Sequence, residues 1–289
     1  MIDFNVGKER LNKYLGSEKK TTIQYKNELY MIKFPDPIRS KYIALSYMNN
    51  QYSEHIGCRI FEACGFDAQK TELGYYTDKM GKKKVVVACK DFTQDGGTLY
   101  EFSKLCNSIV EVDEKLGMSI ESIALVINQS DLIKNKEEIL DGFWDVFVID
   151  TLIGNPDRHI DNWGILDKDG EIKLAPIYDC GSSLGALLDD DRMKEMLSDP
   201  VAFKNQEFNT TSCYMFGGAK IFYHMIYINP PDKLMEAVKR TVPKIDMDRI
   251  YSIVDSTERF PAIRKEYLKK ALDLRYTEIL IPAYERTRR

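Results

Sequence analysis

The stretch Gly154–Leu184, GNPDRHIDNWGILDKDGEIKLAPIYDCGSSL, carries a dense group of chemically capable side chains. Immediately before it, Ile139–Ile153 (ILDGFWDVFVIDTLI) is apolar nearly all round, which predicts a helix running through the middle of a packed domain. Within the stretch, Trp163–Leu166 and Glu171–Leu174 predict a short β-ribbon that turns at Asp169-Gly170. Asp157, Arg158, His159 and Asn162 then fall in a loop between the helix and the ribbon. Asp179, in D-C-G, lies at the ribbon's far end. A loop held on both sides by regular structure is a rigid mount for reactive side chains.

Toward the N-terminus the pattern is strand-rich. Thr21–Lys33 (TTIQYKNELYMIK) alternates and breaks at Lys26-Asn27, a hairpin signal, and Thr71–Tyr76 and Val85–Cys89 predict two more strands. Between them, Ser53–Cys64 (SEHIGCRIFEAC) places Ile56, Ile60, Phe61 and Cys64 on one helical face and stops at Gly65. From about residue 95 the pattern turns helical, with segments predicted near 98–107, 119–128, 137–153, 189–197, 218–227, 231–241, 246–255 and 261–285. The chain reads as α+β: a small β-rich half over residues 1–92 and a larger, mainly helical half over 93–289. The join is expected near Cys89–Phe92, with a cleft between the halves.

Composition narrows the function classes. The 289 residues carry 41 Lys+Arg against 45 Asp+Glu, a net charge of −4, which argues against a basic face gripping nucleic-acid phosphates. Hydrophobic residues make up 44% and charged residues 30%, so a folded globular chain is expected. No apolar run approaches the roughly 18 residues of a membrane span. The charged start, MIDFNVGKERLNKY, does not read as a signal peptide, so a cytoplasmic location is the expectation. Six cysteines without a C-x-x-C pair predict free thiols rather than a zinc site or a disulfide framework.

Phosphoryl transfer from ATP needs a carboxylate to orient the acceptor hydroxyl and oxygen ligands to hold Mg²⁺ against the phosphates. In protein kinases an Asp and an Asn five residues later supply the first and part of the second, and a D-x-G Asp beyond a ribbon supplies the rest. Asp157 and Asn162 have that spacing, and Asp179-Cys180-Gly181 follows the ribbon. The β-rich half offers the complementary parts. Lys33 ends a strand from which it can reach phosphates, and Glu54 opens the next helix as its partner. Gly16-Ser17-Glu18-Lys19-Lys20 offers backbone N–H groups and lysines to negative charge. Cys89 to Phe92 (CKDF), with Cys89 and Asp91 as the cofactor-binding candidates, sits at a strand exit, where hinge backbone would hydrogen-bond adenine.

The segments ELYMIKFP, Ser53–Cys64, VVVACKDFT, FWDVFVIDTLIGNPDRHIDNWG and APIYDCGSSL together resemble the HipA-like serine/threonine kinases. These are relatives of the protein kinase fold often found as toxins of toxin–antitoxin pairs. The resemblance implies a bilobal protein-kinase-like fold, ATP and Mg²⁺ as cofactors, Asp157 as catalytic base, Asn162 and Asp179 as Mg²⁺ ligands, and Lys33 as the ATP lysine. It places His159 near the transferred phosphate. It further implies a protein substrate with a Ser or Thr acceptor, autophosphorylation (with Ser17, Thr21 and Thr22 as the sites to examine) and an antitoxin partner. Longer members carry an additional N-terminal subdomain, for which the residues before Gly16 leave no room.

Two other functions compete. D-R-H-x-x-N also looks like the catalytic loop of phosphoinositide kinases, although no strong basic cluster flanks it here, and a small-molecule kinase would use the same parts. A catalytically silent, kinase-shaped binding module is the other. Plainer readings stand beside the residues as well. An Asp-Asn loop is often turn chemistry, Glu54 has its own helix's first turn to stabilise, and Asp189-Asp190-Asp191 fits a helix N-terminus better than a metal cluster. Lys82-Lys83-Lys84 reads as a solvated turn. Asp91-Phe92 is followed by Thr93 and precedes the catalytic loop, so it is not the metal-binding D-F-G.

Overall fold

The computed structural model describes residues 1–11, 20–35, 49–78, 81–107, 109 and 119–289. Gly16 and Ser17 therefore lie outside the described residues, as do Glu18 and Lys19. Among the described residues, the N-terminal half forms one sheet from β1 (Ile2–Asp3), β2 (Lys8–Arg10), β3 (Lys20–Tyr25), β4 (Glu28–Lys33), β5 (Thr71–Thr77) and β6 (Lys83–Lys90), with helix α1 (Asn50–Ala63) between β4 and β5. The order is β1-β5-β6-β4-β3-β2; β1 runs parallel to β5 and the other neighbours are antiparallel. Lys26 and Asn27 both take left-handed φ, 49° and 66°, the twist that a two-residue hairpin needs.

Alternation along β6 divides the sheet's two faces. Val86 and Ala88 join Phe4, Ile23, Ile32 and Phe34 in a small outer core. Val87 and Cys89 point the other way, into the main core with Leu73 and the Ile56, Ile60 and Phe61 face of α1. Lys83 and Lys84 are the start of β6 rather than a turn, because they continue the ladder opposite Thr77 and Tyr76.

The second half begins with β7 (Thr98–Glu101) and α2 (Phe102–Cys106), followed by α3 (Ile120–Gln129), α4 (Lys136–Ile153), β8 (Gly164–Lys168) and β9 (Glu171–Leu174). Then come α5 (Asp190–Ser198), α6 (Pro200–Phe208), β10 (Thr211–Phe216), β11 (Ala219–Phe222), α7 (Tyr223–Ile226), α8 (Asp232–Thr241), α9 (Met247–Ser256), α10 (Ala262–Arg275) and α11 (Ile281–Arg286). A π-helical turn, Tyr276–Leu280, links the last two helices. Helix α4 packs against α3, α8, α10 and β9, and its last eight residues, Val146–Ile153, are all buried. Asp189 caps α5 by accepting from the Arg192 N–H, which accounts for the acidic run there.

Two predicted helices are strands at least in part. Thr98–Glu101 pairs with β8, where Gly164 is needed because a Cβ would lie 2.2 Å from the Tyr100 carbonyl. The helix expected over 98–107 starts only at Phe102. The helix expected over 218–227 is split between β11, turned from β10 by Gly217 and Gly218, both at positive φ, and the short helix α7 over Tyr223–Ile226. In both places a pair of glycines, Gly96-Gly97 and Gly217-Gly218, immediately precedes the strand, and local helix propensity yields to pairing.

The two halves are stitched together beside α1. Gln69 N–H donates to Ile177 O at 2.8 Å and Ile177 N–H to Asp67 O at 2.9 Å, while Tyr52 OH reaches Arg259 O at 2.9 Å. Among the described residues no helix is long and apolar enough to cross a membrane, and the six cysteines are free thiols.

Candidate active site

Strand β4 delivers Lys33 to the cleft, and α1 delivers Glu54 from its second turn. Both are almost completely buried, at 4% and 0% exposure. Lys33 Nζ lies 3.1 Å from Glu54 Oε2 and 2.7 Å from Asp179 Oδ1. The other Glu54 oxygen accepts the Asp179 backbone N–H at 3.0 Å. Glu54 is thus committed to Lys33 and Asp179 rather than to its own helix terminus. Asp179 holds φ at +58°, costly for a residue with a Cβ and of the kind that gathers at functional sites. Burial pushes its carboxyl pKa up, but the Lys33 charge and hydrogen bond, helped by Arg158 and Lys20, outweigh that and hold it below the usual value.

The Asp157–Asn162 loop is built from the end of α4. Gly154 closes that helix in the left-handed conformation at φ +60°, and a Cβ there would strike the Arg275 guanidinium at 2.4 Å. Asp157 is then fixed at its backbone: its N–H donates to Asn155 Oδ1 at 3.1 Å and its carbonyl accepts from Asn162 Nδ2 at 2.7 Å. The five-residue spacing therefore closes a loop on itself. With Nδ2 engaged, Asn162 keeps its amide oxygen for another ligand. Asp157 Oδ2 accepts from Ser182 Oγ at 3.0 Å. His159 is half exposed, with Nε2 3.8 Å from Asp157 Oδ1 and Nδ1 accepting the Asp161 N–H at 3.3 Å. Burial raises the Asp157 pKa and nearby Asp179 adds to it; His159, the Ser182 hydroxyl and Arg158 oppose the rise without cancelling it.

Beneath the loop lies a polar core to which the sequence reading assigned no role. Arg158 is buried and pairs with Asp150 of α4 through Nε at 2.9 Å and Nη2 at 3.1 Å. Its Nη1 donates to the Asn162 carbonyl at 3.0 Å and also to the carbonyl of Tyr178. Asp150 Oδ1 also accepts from Asn155 Nδ2 at 3.0 Å, and Tyr223 OH donates to Asn155 O at 2.6 Å. Burial alone would push the Arg158 pKa down; Asp150 overrides it and keeps the guanidinium charged. One arginine thus ties α4, the Asp157–Asn162 loop and the D-C-G turn together. Its sequence signal was Asp150, a carboxylate within the most apolar stretch of α4, which needs a buried partner.

At the expected hinge, the Lys90 and Asp91 N–H groups already donate to Lys70 O and Leu29 O, both at 2.8 Å. The Cys89 side chain is buried in the main core, and Asp91 Oδ1 accepts from Thr93 N–H and Oγ1. Thr22 is buried in β3, and Thr21 Oγ1 donates to Glu9 at 3.2 Å.

The donor set near Asp179 suits Mg²⁺, which takes hard oxygen ligands and commonly relies on one or two protein side chains plus substrate phosphates. Asp179 supplies an ionised carboxylate and Asn162 an amide oxygen. Among the described residues no three His, Cys, Asp or Glu side chains gather into a self-sufficient cage.

Comparison with known proteins places the chain in a family. The HipA-like C-terminal domain family matches residues 13–245. The serine/threonine-protein kinase CtkA of Helicobacter pylori is 37% identical over 274 residues, covering 92% of this chain and 82% of its own. The crystal structure of an H. pylori proinflammatory kinase CtkA superposes with a TM-score of 0.88 at 33% identity, covering 99% of this chain and 98% of that one. HipA of Shewanella oneidensis, solved with HipB and operator DNA, shares the fold alone: 13% identity and a TM-score of 0.57 over 96% of this chain and 68% of that one. The chain belongs to the HipA-like family, and within it to the CtkA-type kinases.

Proposed function

We propose that this kinase transfers the γ-phosphoryl group of Mg-ATP to a Ser or Thr hydroxyl of a protein. The observation that carries the reading is the placement of Lys33, which contacts Glu54 and Asp179 together and so holds a fixed positive charge at the cleft. Lys33, oriented by Glu54, contacts the phosphates. Asp179 and Asn162 would hold Mg²⁺, which would neutralise charge on the phosphate oxygens when bound. Asp157 accepts a hydrogen bond from the acceptor hydroxyl. The acceptor oxygen bonds to the γ-phosphorus as the bond to the β–γ bridging oxygen breaks; ADP leaves, and the acceptor proton passes to Asp157. The raised Asp157 pKa suits that acceptance, since a base works best with a pKa closer to the working pH. His159 sits at the loop's exposed rim, with Nε2 3.8 Å from Asp157 Oδ1, and its proposed role is to contact the transferred group.

Intact-mass spectrometry after incubation with Mg-ATP tests this, with Asp157→Asn alongside. Added phosphate in the wild type alone is expected, and it would also establish autophosphorylation. Phosphate on a lipid or small molecule, with none on protein, would instead favour the phosphoinositide or small-molecule reading. Nucleotide binding without turnover would identify a silent binding module. A toxin role with an antitoxin partner is a further proposal, supported by family membership. Co-purification of a partner with the tagged chain from its native cells, with relief of a growth defect when that partner is co-expressed, would support it.

A further inference from the structure

The D-C-G turn does more than present Asp179. Three residues on, Ser182 donates its hydroxyl hydrogen bond to Asp157 Oδ2 across 25 positions of sequence, at 3.0 Å. The turn that carries Ser182 is anchored on both sides. Ser183 N–H and Oγ donate to Cys180 O at 3.1 and 2.8 Å, and Leu184 N–H donates to Ile153 O, at the end of α4, at 3.0 Å. Cys180 sits so close to α1 that a Cβ on Gly57 would lie 2.6 Å from its own, and a Cβ on Gly181 would lie 3.2 Å from Glu54 Oε2. Ser182 is therefore held by the same packing that sets Glu54 and the end of α4.

The consequence lies at Asp157. Its N–H, its carbonyl and Oδ2 are engaged by Asn155, Asn162 and Ser182 respectively, while Oδ1 has His159 Nε2 at 3.8 Å, beyond hydrogen-bonding reach. We propose that Ser182 is a positioning residue: its hydroxyl fixes Oδ2 so that Oδ1 is the oxygen presented to the acceptor hydroxyl. The proposal rests on Asp157 acting as base. It makes the D-C-G turn a two-ended device, with Asp179 toward the phosphates and Ser182 toward the base, so that a shift of α1 reaches both. An aspartate free to rotate would spend much of its time with neither oxygen aligned, and alignment errors of this size are costly in rate.

The test compares kcat for phosphate transfer and the KM for ATP in wild type, Ser182→Ala and Ser182→Thr, with unfolding temperatures recorded for each. Ser182 is only half buried, and both variants are expected to fold. Losing one hydrogen bond to a charged group should lower kcat about ten- to a hundred-fold in Ser182→Ala, with the KM for ATP changed less than about two-fold. Ser182→Thr keeps the hydroxyl and should retain at least about a third of the wild-type kcat. Ser182→Ala at the wild-type kcat would overturn the proposal, as would a Thr variant as slow as the Ala variant. Phosphate found on Ser182 itself would also overturn it, because the hydroxyl could not then serve as donor. A wild type that transfers no phosphate would fail at the kinase reading instead, which keeps the two failures distinct.

Discussion

Two ionic groups meet at the D-C-G turn, Lys33–Glu54–Asp179 and Asp150–Arg158, and they are built in opposite ways. Lys33–Glu54–Asp179 spans the two halves at the cleft, and its Asp179 end is about a third exposed. Asp150–Arg158 lies wholly within the helical half, with both side chains at 3% exposure or less. A buried pair of this kind is worth little against an apolar alternative, yet removing one partner strands the other charge. The cleft chain keeps a charged end accessible and able to change partners, as a ligand site requires. The buried pair satisfies all its groups internally and fixes the shape of the loop above it. The difference teaches that charge at this site divides into a part that meets substrate and a part that only braces.

The largest effect is expected at Asp157, on the loop that the buried pair braces. Asp157→Asn should lower phosphate transfer about 10²- to 10⁴-fold; the unfolding temperature should stay close to wild type, because the amide can keep the Ser182 hydrogen bond. Breaking the brace should act through stability. Asp150→Ala leaves Arg158 charged and buried, and chemical denaturation should show a loss of about 3–5 kcal/mol. A milder break, Glu54→Gln, keeps the shape of α1 but removes one charge beside Lys33. Steady-state kinetics should show a slower kcat, with stability altered by less than about 2 kcal/mol.

The smallest effect sharpens the comparison away from the cleft. His55, on α1, has Nδ1 2.9 Å from Thr71 Oγ1, and burial with Arg59 nearby pushes its pKa down to about 4, against Glu62 and Thr71. The unfolded chain takes up this proton near the ordinary histidine value of about 6.5, so between there and about 4 the unfolded state binds more protons. Stability should therefore fall as pH drops through that window, by at most about 1.4 kcal/mol per unit from this group. Denaturation of His55→Gln across the same pH range should show a flatter dependence.

How much was legible follows from the reach of each signal. Asp157, Asn162 and Asp179 were readable because their loop, the ribbon turn at Asp169-Gly170 and the apolar helix before them are local patterns. Lys33 and Glu54 were readable as a pair only by reference to what phosphate binding needs. Ser182 was not, because its partner is 25 positions away and a serine in a turn has no periodic signature. Arg158 was visible in the loop, but its downward orientation depended on Asp150, which the apolar run concealed. The strand over 219–222 pairs with its neighbour β10 across Gly217-Gly218, a local hairpin signal that the helical pattern masked; the strand over 98–101 was missed because its partner β8 is distant in sequence. The expected hinge illustrates the same limit: the N–H groups of Lys90 and Asp91 are used by Lys70 and Leu29, contacts that no local window contains.

The central claim is that the cleft chain serves chemistry and the buried pair serves shape. The most direct test measures unfolding temperature and phosphate transfer on the same preparations of Lys33→Met and Arg158→Met. Lys33→Met should lose transfer with a modest fall in unfolding temperature, because Glu54 loses its cation while keeping the Asp179 N–H. Arg158→Met should lose both transfer and stability, with the larger fall in unfolding temperature. A Lys33→Met protein that keeps wild-type transfer, or an Arg158→Met protein that unfolds like wild type, would contradict that claim.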